Sequence, residues 1–215
     1  SATVNGNAIT TGNASVTFQA GAAASIAESG GNNQSATAGT VLPSAPSVVV
    51  RDANGNPVSG VDVTFTLASG GGTISPPTPA TVQTNSAGIA ALTSWTLGST
   101  AGTNTINATV GALALAGEPV AFSATGTIGA ASGATSTIVA SAGTINSGGN
   151  ANITVTLRDA NSNALTSSGG VVSLAANIGS LGAVTNVGNG TYTAVYTGGD
   201  AGTATITGTV NGVGI

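Results

Sequence analysis

The fold is decided by the stretch Val48–Leu67, which reads VVVRDANGNPVSGVDVTFTL. Apolar residues alternate with other residues before its centre, at Val48 and Val50, and again after it, from Val61 to Leu67. The centre itself is a cluster of turn-forming residues, Asp-Ala-Asn-Gly-Asn-Pro, at 52–57. Period-two alternation on both sides of such a cluster predicts two half-buried β-strands joined by a tight connection.

The same unit returns later in the chain. Arg-Asp-Ala-Asn at 51–54 recurs at 158–161, an offset of 107 residues (158 − 51), within a second alternating stretch, ITVTLRDANSNALTSSGGVVSLAA, at 153–176. AGTNTINATV at 101–110 recurs as AGTATITGTV at 201–210, an offset of 100 (201 − 101). The chain is therefore predicted to be a tandem array of one module.

Composition favours an all-β chain. Charged residues make up 4% of the 215 residues and aromatic residues 3%, whereas about 25% of a typical globular chain is charged. Disorder usually combines low hydrophobicity with high net charge, but here the net charge is only −4 and the hydrophobic fraction is 40%. Abundant threonine and valine between turn residues indicates strands.

Several function classes are excluded by composition. The only cations are Arg51 and Arg158, so we expect no nucleic-acid partner and no binding to an anionic membrane. Without histidine or cysteine, catalytic triads, zinc sites and disulfides are unavailable. No apolar run approaches the ~20 residues of a membrane span. The six acidic residues are scattered and suggest no catalytic pair, so we expect no enzyme: Glu28, Asp52, Asp62, Glu118, Asp159 and Asp200.

The repeats divide the chain into three parts. Residues 1–22 carry the terminal strands of a repeat whose beginning is missing, 23–127 form one complete sandwich of about seven strands, and 128–215 form a second sandwich without its last strand. In the complete unit the pattern predicts a first strand at Ala24–Glu28, a polar loop at Ser29–Ala38, and a weak edge strand between the glycines at 70–72 and the prolines at 76–79. The chain begins at Ser1 without Met, which we interpret as processing or excision from a longer protein.

The strand predicted at Ile89–Leu97 changes phase. Ala90 and Leu92 share one face, whereas Trp95 and Leu97 share the other. We predict a β-bulge between Leu92 and Trp95, which lets all four side chains face inward. In the second unit, strands are predicted at 137–142, 151–159, 171–175, 183–187, 191–197 and 203–211.

The two chain ends are complementary in pattern. VTFQA at 16–20 resembles VAFSA at 120–124, while the second unit stops at Ile215 with no equivalent of that strand. One interpretation, which we favour, is a window taken from a long tandem protein. The other is head-to-tail complementation, in which this segment of one subunit completes the open sandwich of the next. The candidate interface residues are Val16, Phe18, Ala20, Val210 and Ile215.

Together these motifs closely resemble the bacterial immunoglobulin-like domain of group 1, the repeat of the invasin and intimin adhesins. The motifs are VVVRDANGNPVSGVDVTFTLASGGGTIS (48–75), TNSAG (84–88), TLGSTAGTNTINATV (96–110) and VAFSATG (120–126). The resemblance implies tandem immunoglobulin-like sandwiches arranged as a rod, in an extracellular stalk on a bacterial surface. Its partners would be neighbouring repeats or identical subunits. No C-type-lectin-like tip is visible, so no receptor-binding residue can be assigned.

The turn clusters are candidate calcium loops. Asp52, Asn54 and Asn56, like Asp159, Asn161 and Asn163, place oxygen ligands at alternate positions. However, the twelfth position holds Val63 or Gly170 and not the glutamate that such a loop uses. We therefore favour Asx-type turns that cap the strand end, and expect no cofactor.

Two further surface functions are compatible with the sequence. The Arg-Asp pairs at 51–52 and 158–159 could contact the next repeat, but we favour a solvated strand end. Trp95, Tyr192 and Tyr196 could form a stacking platform in a carbohydrate-binding module, although burial in the core is the better interpretation for so few aromatic residues.

Overall fold

A computed structural model of the chain describes residues 3–5, 7–8, 16–111 and 113–215. These residues contain strands, turns and loops and no helix, so the all-β prediction is confirmed. The twenty strands are β1 Thr3–Val4, β2 Asn7–Ala8, β3 Ala23–Gly30, β4 Gln34–Thr37, β5 Ser47–Asp52, β6 Asp62–Ser69, β7 Thr73–Ser75, β8 Ala80–Gln83, β9 Ile89–Ala91, β10 Ser94–Thr96, β11 Gly102–Thr109, β12 Val120–Thr127, β13 Ala131–Ala140, β14 Asn150–Asp159, β15 Val172–Ala176, β16 Ser180–Leu181, β17 Thr185–Gly188, β18 Thr191–Thr197, β19 Ile206–Val210 and β20 Val213–Gly214.

Strands β3 to β12 form the first sandwich. One sheet has the order β3-β5-β9 and the other β4-β12-β11-β6-β8, with the short pair β10-β7 beside them. Most neighbours are antiparallel, but β4 runs parallel to β12, pairing Gln34 with Ala124 and Thr37 with Thr127. The side chains between the sheets are aliphatic or aromatic, and the Phe65 and Phe122 ring centres are 6.5 Å apart.

The stretch that decides the fold contributes one strand to each sheet. Val48 and Val50 on β5, like Val63 and Phe65 on β6, are fully buried, so the predicted inward faces are confirmed. The two strands are not paired with each other, because the turn folds back on its own strand: the Val58 amide donates to the Val50 carbonyl at 3.0 Å. The expected tight connection is therefore a crossing between two facing sheets.

Strands β13 to β20 form the second sandwich. Its sheets have the orders β13-β14-β18-β16, with β17 also pairing β18, and β15-β19-β20. Val155, Leu157 and Val210 lie in a hydrophobic cluster distinct from that of the first sandwich. Each half of the chain therefore buries its own core.

Two strands of the first sandwich were missed by the sequence analysis. Gln34–Thr37, within the predicted loop at Ser29–Ala38, is strand β4, and Ala80–Gln83 is strand β8. Both lie at the edges of the five-stranded sheet. Edge strands contribute little to the core and need not show a strong apolar alternation, so their pattern was weak.

The alternation of buried residues does change phase between Leu92 and Trp95. The cause is a break between two strands, and not the predicted β-bulge within one strand. Ala90, Leu92, Trp95 and Leu97 are all buried, as expected. The chain achieves this by leaving β9, which pairs with β5, and starting β10, which pairs with β7. The change of partner at Leu92 and Thr93 resets the phase of the alternation.

Replacing Phe122 by Ala should destabilise the first sandwich by about 3–5 kcal/mol, because the ring is fully buried against Phe65. The single tryptophan, Trp95, lies in the same core, so its fluorescence during chemical denaturation measures the loss. Phe18→Ala is the matched control: Phe18 is 91% exposed and its loss should change stability by less than about 0.5 kcal/mol. Equal effects of the two substitutions would contradict this assignment of the core.

Candidate functional site at the joint between the sandwiches

The loop that follows β14 is built around the buried carboxylate of Asp159. One oxygen, Oδ1, accepts hydrogen bonds from the main-chain amides of Asn161 and Asn163, both at 2.9 Å. The other oxygen, Oδ2, accepts from the Asn163 side-chain amide and from the main-chain amide of Gly129, again at 2.9 Å. The aspartate thus ties its own loop to the segment that enters the second sandwich.

The loop after β5 has the same hydrogen bonds around Asp52. Its Oδ1 accepts from the amides of Asn54 and Asn56, and its Oδ2 from the Asn56 side chain and from Gly21, at 2.8–3.0 Å. In both loops the preceding arginine donates to a main-chain carbonyl four residues later, at Gly55 or Ser162. Those two residues have φ of +83° and +68°, so the left-handed turn is preserved although one position lacks glycine.

In the second sandwich the outer side of this loop contacts the first sandwich. The Asn161 side-chain amide donates to the Ala38 carbonyl at 2.8 Å. Asn163 binds with both ends of its amide: its Nδ2 donates to the Ser99 carbonyl, and its Oδ1 accepts from the Ala101 main-chain amide, each at 2.9 Å. Every partner in the first sandwich is a main-chain group.

The linker between the sandwiches is short. Only Ile128, Gly129 and Ala130 separate β12 from β13. The Gly129 amide is bound by Asp159, and a Cβ at this position would lie 3.2 Å from the Thr37 side chain and 3.5 Å from Asp159. A cleft of about 610 Å³ lies beside the linker, lined by residues of both sandwiches. The asparagine bonds and the bound linker together connect the two units at several points.

Both aspartates have a lowered pKa. The Asn56 side-chain amide, followed by the Gly21 amide, lowers the pKa of Asp52 from 3.8 to about 2 against the opposing effect of burial. For Asp159, burial raises the pKa, but the amides of Gly129, Asn163 and Asn161 outweigh it and the net direction is downward. Both groups are charged in their structural role.

The sequence-based calcium candidates are all found in these two loops, but their geometry suits amide donors. The Asp52 and Asp159 carboxylates each face four N–H groups, and Asn161 and Asn163 are engaged with the first sandwich. In the part of the chain that the structure describes, no group of three or more acidic side chains comes together. The residues therefore fit a calcium ion poorly, and the Asx-type turns favoured from sequence are present.

The interpretation of the Arg-Asp pairs as solvated strand ends is wrong for the aspartates. Asp52 is 4% exposed and Asp159 is 1% exposed. The reason is that each carboxylate points towards the entering chain, where amides compensate its burial, while the neighbouring arginine points outward. The repeat contacted by Asn161 and Asn163 is the preceding one, whereas the sequence analysis considered the next.

The candidate interface residues near the chain ends fall into two groups. Phe18 is 91% exposed, Val16 is 75% exposed and Ala20 is also exposed, and the structure assigns no strand to 16–20, contrary to the expected strand there. Val210 is instead buried in the second core, with Ile215 packed against it, because β20 turns back along β19. Of the terminal strands predicted within 1–22, positions 1, 2, 6 and 9–15 lie outside the residues that the structure describes.

The aromatic side chains considered for carbohydrate stacking are in the cores. Trp95, Tyr192 and Tyr196 are all buried, as the sequence analysis favoured. Tyr192 donates to the Gly170 carbonyl at 2.6 Å and Tyr196 to the Ile178 carbonyl at 3.0 Å. These rings offer no open face for a sugar.

Comparisons with known proteins identify both sandwiches. Residues 31–123 match the family model of the bacterial Ig-like domain (group 1), and residues 132–215 match that of invasin, domain 3. No curated protein matches the chain in sequence. No helix in the described residues is long and apolar enough to cross a membrane.

Several solved structures are also similar to this chain. Invasin, described as a bacterial integrin-binding protein, is 24% identical with a TM-score of 0.43, over 88% of this chain and 37% of that one. The Escherichia coli adhesin FdeC is 22% identical with a TM-score of 0.48, over 90% and 62%. InvD of Yersinia pseudotuberculosis is 24% identical with a TM-score of 0.43, over 89% and 53%. The chain thus spans less than two thirds of each of these relatives.

The two β-sandwiches and their hydrogen-bonded joint define a tandem immunoglobulin-like protein. The family matches agree with this class: the first sandwich matches the bacterial Ig-like domain of group 1, and the second matches domain 3 of invasin.

The lowered pKa of Asp52 predicts how the stability of the first sandwich depends on pH. The pKa of Asp52 is about 2 in the folded chain and about 3.8 in the unfolded chain. The carboxylate's contribution to the free energy of unfolding is therefore complete above about pH 4 and is lost as the pH falls towards 2. Denaturation followed by Trp95 fluorescence should show this decline. Asp52→Asn should be less stable at neutral pH and should lose less stability between pH 4 and pH 2. An identical pH profile for both proteins would exclude this role for Asp52.

Proposed function

We propose that this chain is a segment of an extracellular stalk on a bacterial surface, in which tandem sandwiches act as a spacer in a rod. The observation that carries the proposal is the joint between the sandwiches. A three-residue linker and three hydrogen bonds of the Asn161 and Asn163 side chains connect the neighbouring units, which supports a fixed orientation between them. A spacer needs this property, because freely hinged units would not keep its ends apart.

The surface chemistry supports a structural role. Only eight of 215 residues are charged, and two of those, Asp52 and Asp159, are buried. The described clefts have no cluster of metal-binding or acid-base groups, and the tyrosine hydroxyls are bonded to main-chain carbonyls. The proposal accordingly gives the segment no catalytic role, and assigns receptor binding to other parts of the protein that carries it.

Intact cells provide the test. Antibodies against residues 31–215 should label unpermeabilised bacteria, and protease treatment of whole cells should remove the label. Replacing the segment by an unrelated pair of sandwiches of equal span should preserve adhesion, whereas deleting it should weaken adhesion by shortening the stalk. Labelling only after permeabilisation would refute the surface location. Loss of adhesion in the replacement would show that this segment itself binds the receptor.

A second candidate function is supported by the second sandwich: a filament subunit joined by strand complementation. In the described residues, β20 pairs with only Thr209 and Val210 of β19, whereas β11 pairs along its length with β12. A groove of about 560 Å³ opens beside the first half of β19 and is lined by Ile145, Ile178 and Ile206. The exposed segment 16–20 matches β12 in pattern, so Phe18 of another copy could occupy this groove as Phe122 occupies the first core.

Electron microscopy and sedimentation of the purified chain test this second function. Head-to-tail insertion should give regular polymers, and Phe18→Ser should return them to monomers because the inserted side chain is lost. Val171→Ser is the matched control, since Val171 is also exposed but lies away from the groove. Monomers at all concentrations, or polymers unaffected by Phe18→Ser, would reject the filament.

A further inference from the structure

The Asp52 loop repeats the hydrogen bonds of the joint, but among the described residues its outer asparagines bind no other sandwich. Its five hydrogen bonds around the carboxylate and the arginine repeat those of the Asp159 loop. Yet Asn54 and Asn56 are exposed, and among the described residues the Asn54 side chain makes no hydrogen bond while Asn56 binds only Asp52. At the equivalent positions Asn161 and Asn163 bind another sandwich.

The chain also enters both sandwiches in the same way. Gly21-Ala22 leads into Ala23, the first residue of β3, as Gly129-Ala130 leads into Ala131, the first residue of β13. Ala23 lies opposite Asp52 in its ladder, as Ala131 lies opposite Asp159, and both glycine amides donate to their aspartate. The segment that enters the first sandwich therefore already has the geometry of the segment that enters the second sandwich at the joint.

We propose that the Asp52 loop is the docking surface for an immunoglobulin-like repeat that precedes it in the same polypeptide. Asn54 donates to the main-chain carbonyl of that repeat equivalent to Ala38. Asn56 binds the carbonyl and amide equivalent to Ser99 and Ala101. This inference rests on the proposed stalk function and deepens it, because it names the surface by which a further unit is added at this end.

The chemistry of the loop selects this occupant. The available groups are neutral amides, each with donors and an acceptor, arranged to meet main-chain carbonyls and an N–H. Segment 16–20, just ahead of Gly21, resembles in sequence the strand β12 that lies ahead of Gly129. A cation is disfavoured, since the carboxylate oxygens already accept from N–H groups.

The experiment adds a repeat ahead of the two sandwiches. Residues 22–129 are placed directly ahead of residues 22–215, so that Gly129-Ala22-Ala23 recreates the linker and Ala38, Ser99 and Ala101 of the added repeat face the Asp52 loop. Residual dipolar couplings measured by NMR should then give one common alignment for all three sandwiches. The alignment should be the same in excess EDTA and with added calcium.

Two double variants of this fusion locate the cause. N54A/N56A in the middle sandwich should free the added repeat only, whereas N161A/N163A should free the last sandwich only. Thermal unfolding of the variants checks that each sandwich still folds, since these side chains lie outside the cores. An added repeat that tumbles independently while the last sandwich stays aligned would overturn the inference.

Other occupants have their own signatures. If the unfused chain self-associates and N54A/N56A abolishes that association, the occupant of the Asp52 loop is a second copy of the chain and not a covalently linked repeat. If the common alignment of the three sandwiches requires calcium, a metal site and not the asparagine contacts holds the added repeat. Surface labelling of intact cells does not depend on these outcomes, so failure of the inference and failure of the stalk function are distinguishable.

Discussion

The Asp159 carboxylate joins two segments of the chain, the loop that follows it and the linker between the sandwiches. It accepts hydrogen bonds from the loop that follows it, from the Asn163 side chain and from Gly129 in the linker. Hydrogen bonds to a charged acceptor are stronger than neutral ones, and burial of the charge makes losing them costly. Because these bonds hold the loop in one conformation, the Asn161 and Asn163 side chains are already positioned to bind the first sandwich. The buried charge therefore positions the loop whose asparagines bind the first sandwich.

The strands that build the cores could be predicted from sequence, because their inward residues alternate. Val48, Val50, Val63 and Phe65 are buried where the alternation placed them. Strands β4 and β8 were missed because each is only four residues long and directs one or two small apolar side chains to the core, Ala36 in β4 and Ala80 and Val82 in β8, too few to show a clear alternation. The sequence pattern could not predict that β5 and β6 pair with different strands. Alternation shows which face of a strand is buried, but not which strand lies beside it.

The joint shows where sequence reasoning stopped short. The recurring Asp-x-Asn-x-Asn was noticed as a possible calcium loop, because oxygen ligands at alternate positions resemble one. That spacing cannot show that four N–H groups converge on each aspartate, since Gly21 and Gly129 are about thirty residues away from their partners. A signal was nevertheless present. The same loop and the same Gly-Ala-Ala entry occur in both units, and repetition of polar residues at matching places indicates a shared contact.

The parallel pairing of β4 with β12 has a mechanical consequence for a chain pulled at its ends. Tension would reach the first sandwich through the start of β3 and leave through the end of β12, continuing into β13 after only three residues. Because β4 and β12 run in the same direction, the load slides one strand along the other, and the bonds across their four residue pairs resist together. Antiparallel strands pulled from one end would instead open one bond at a time. A tether of such sandwiches would therefore resist shear flow without lengthening until a whole unit yields.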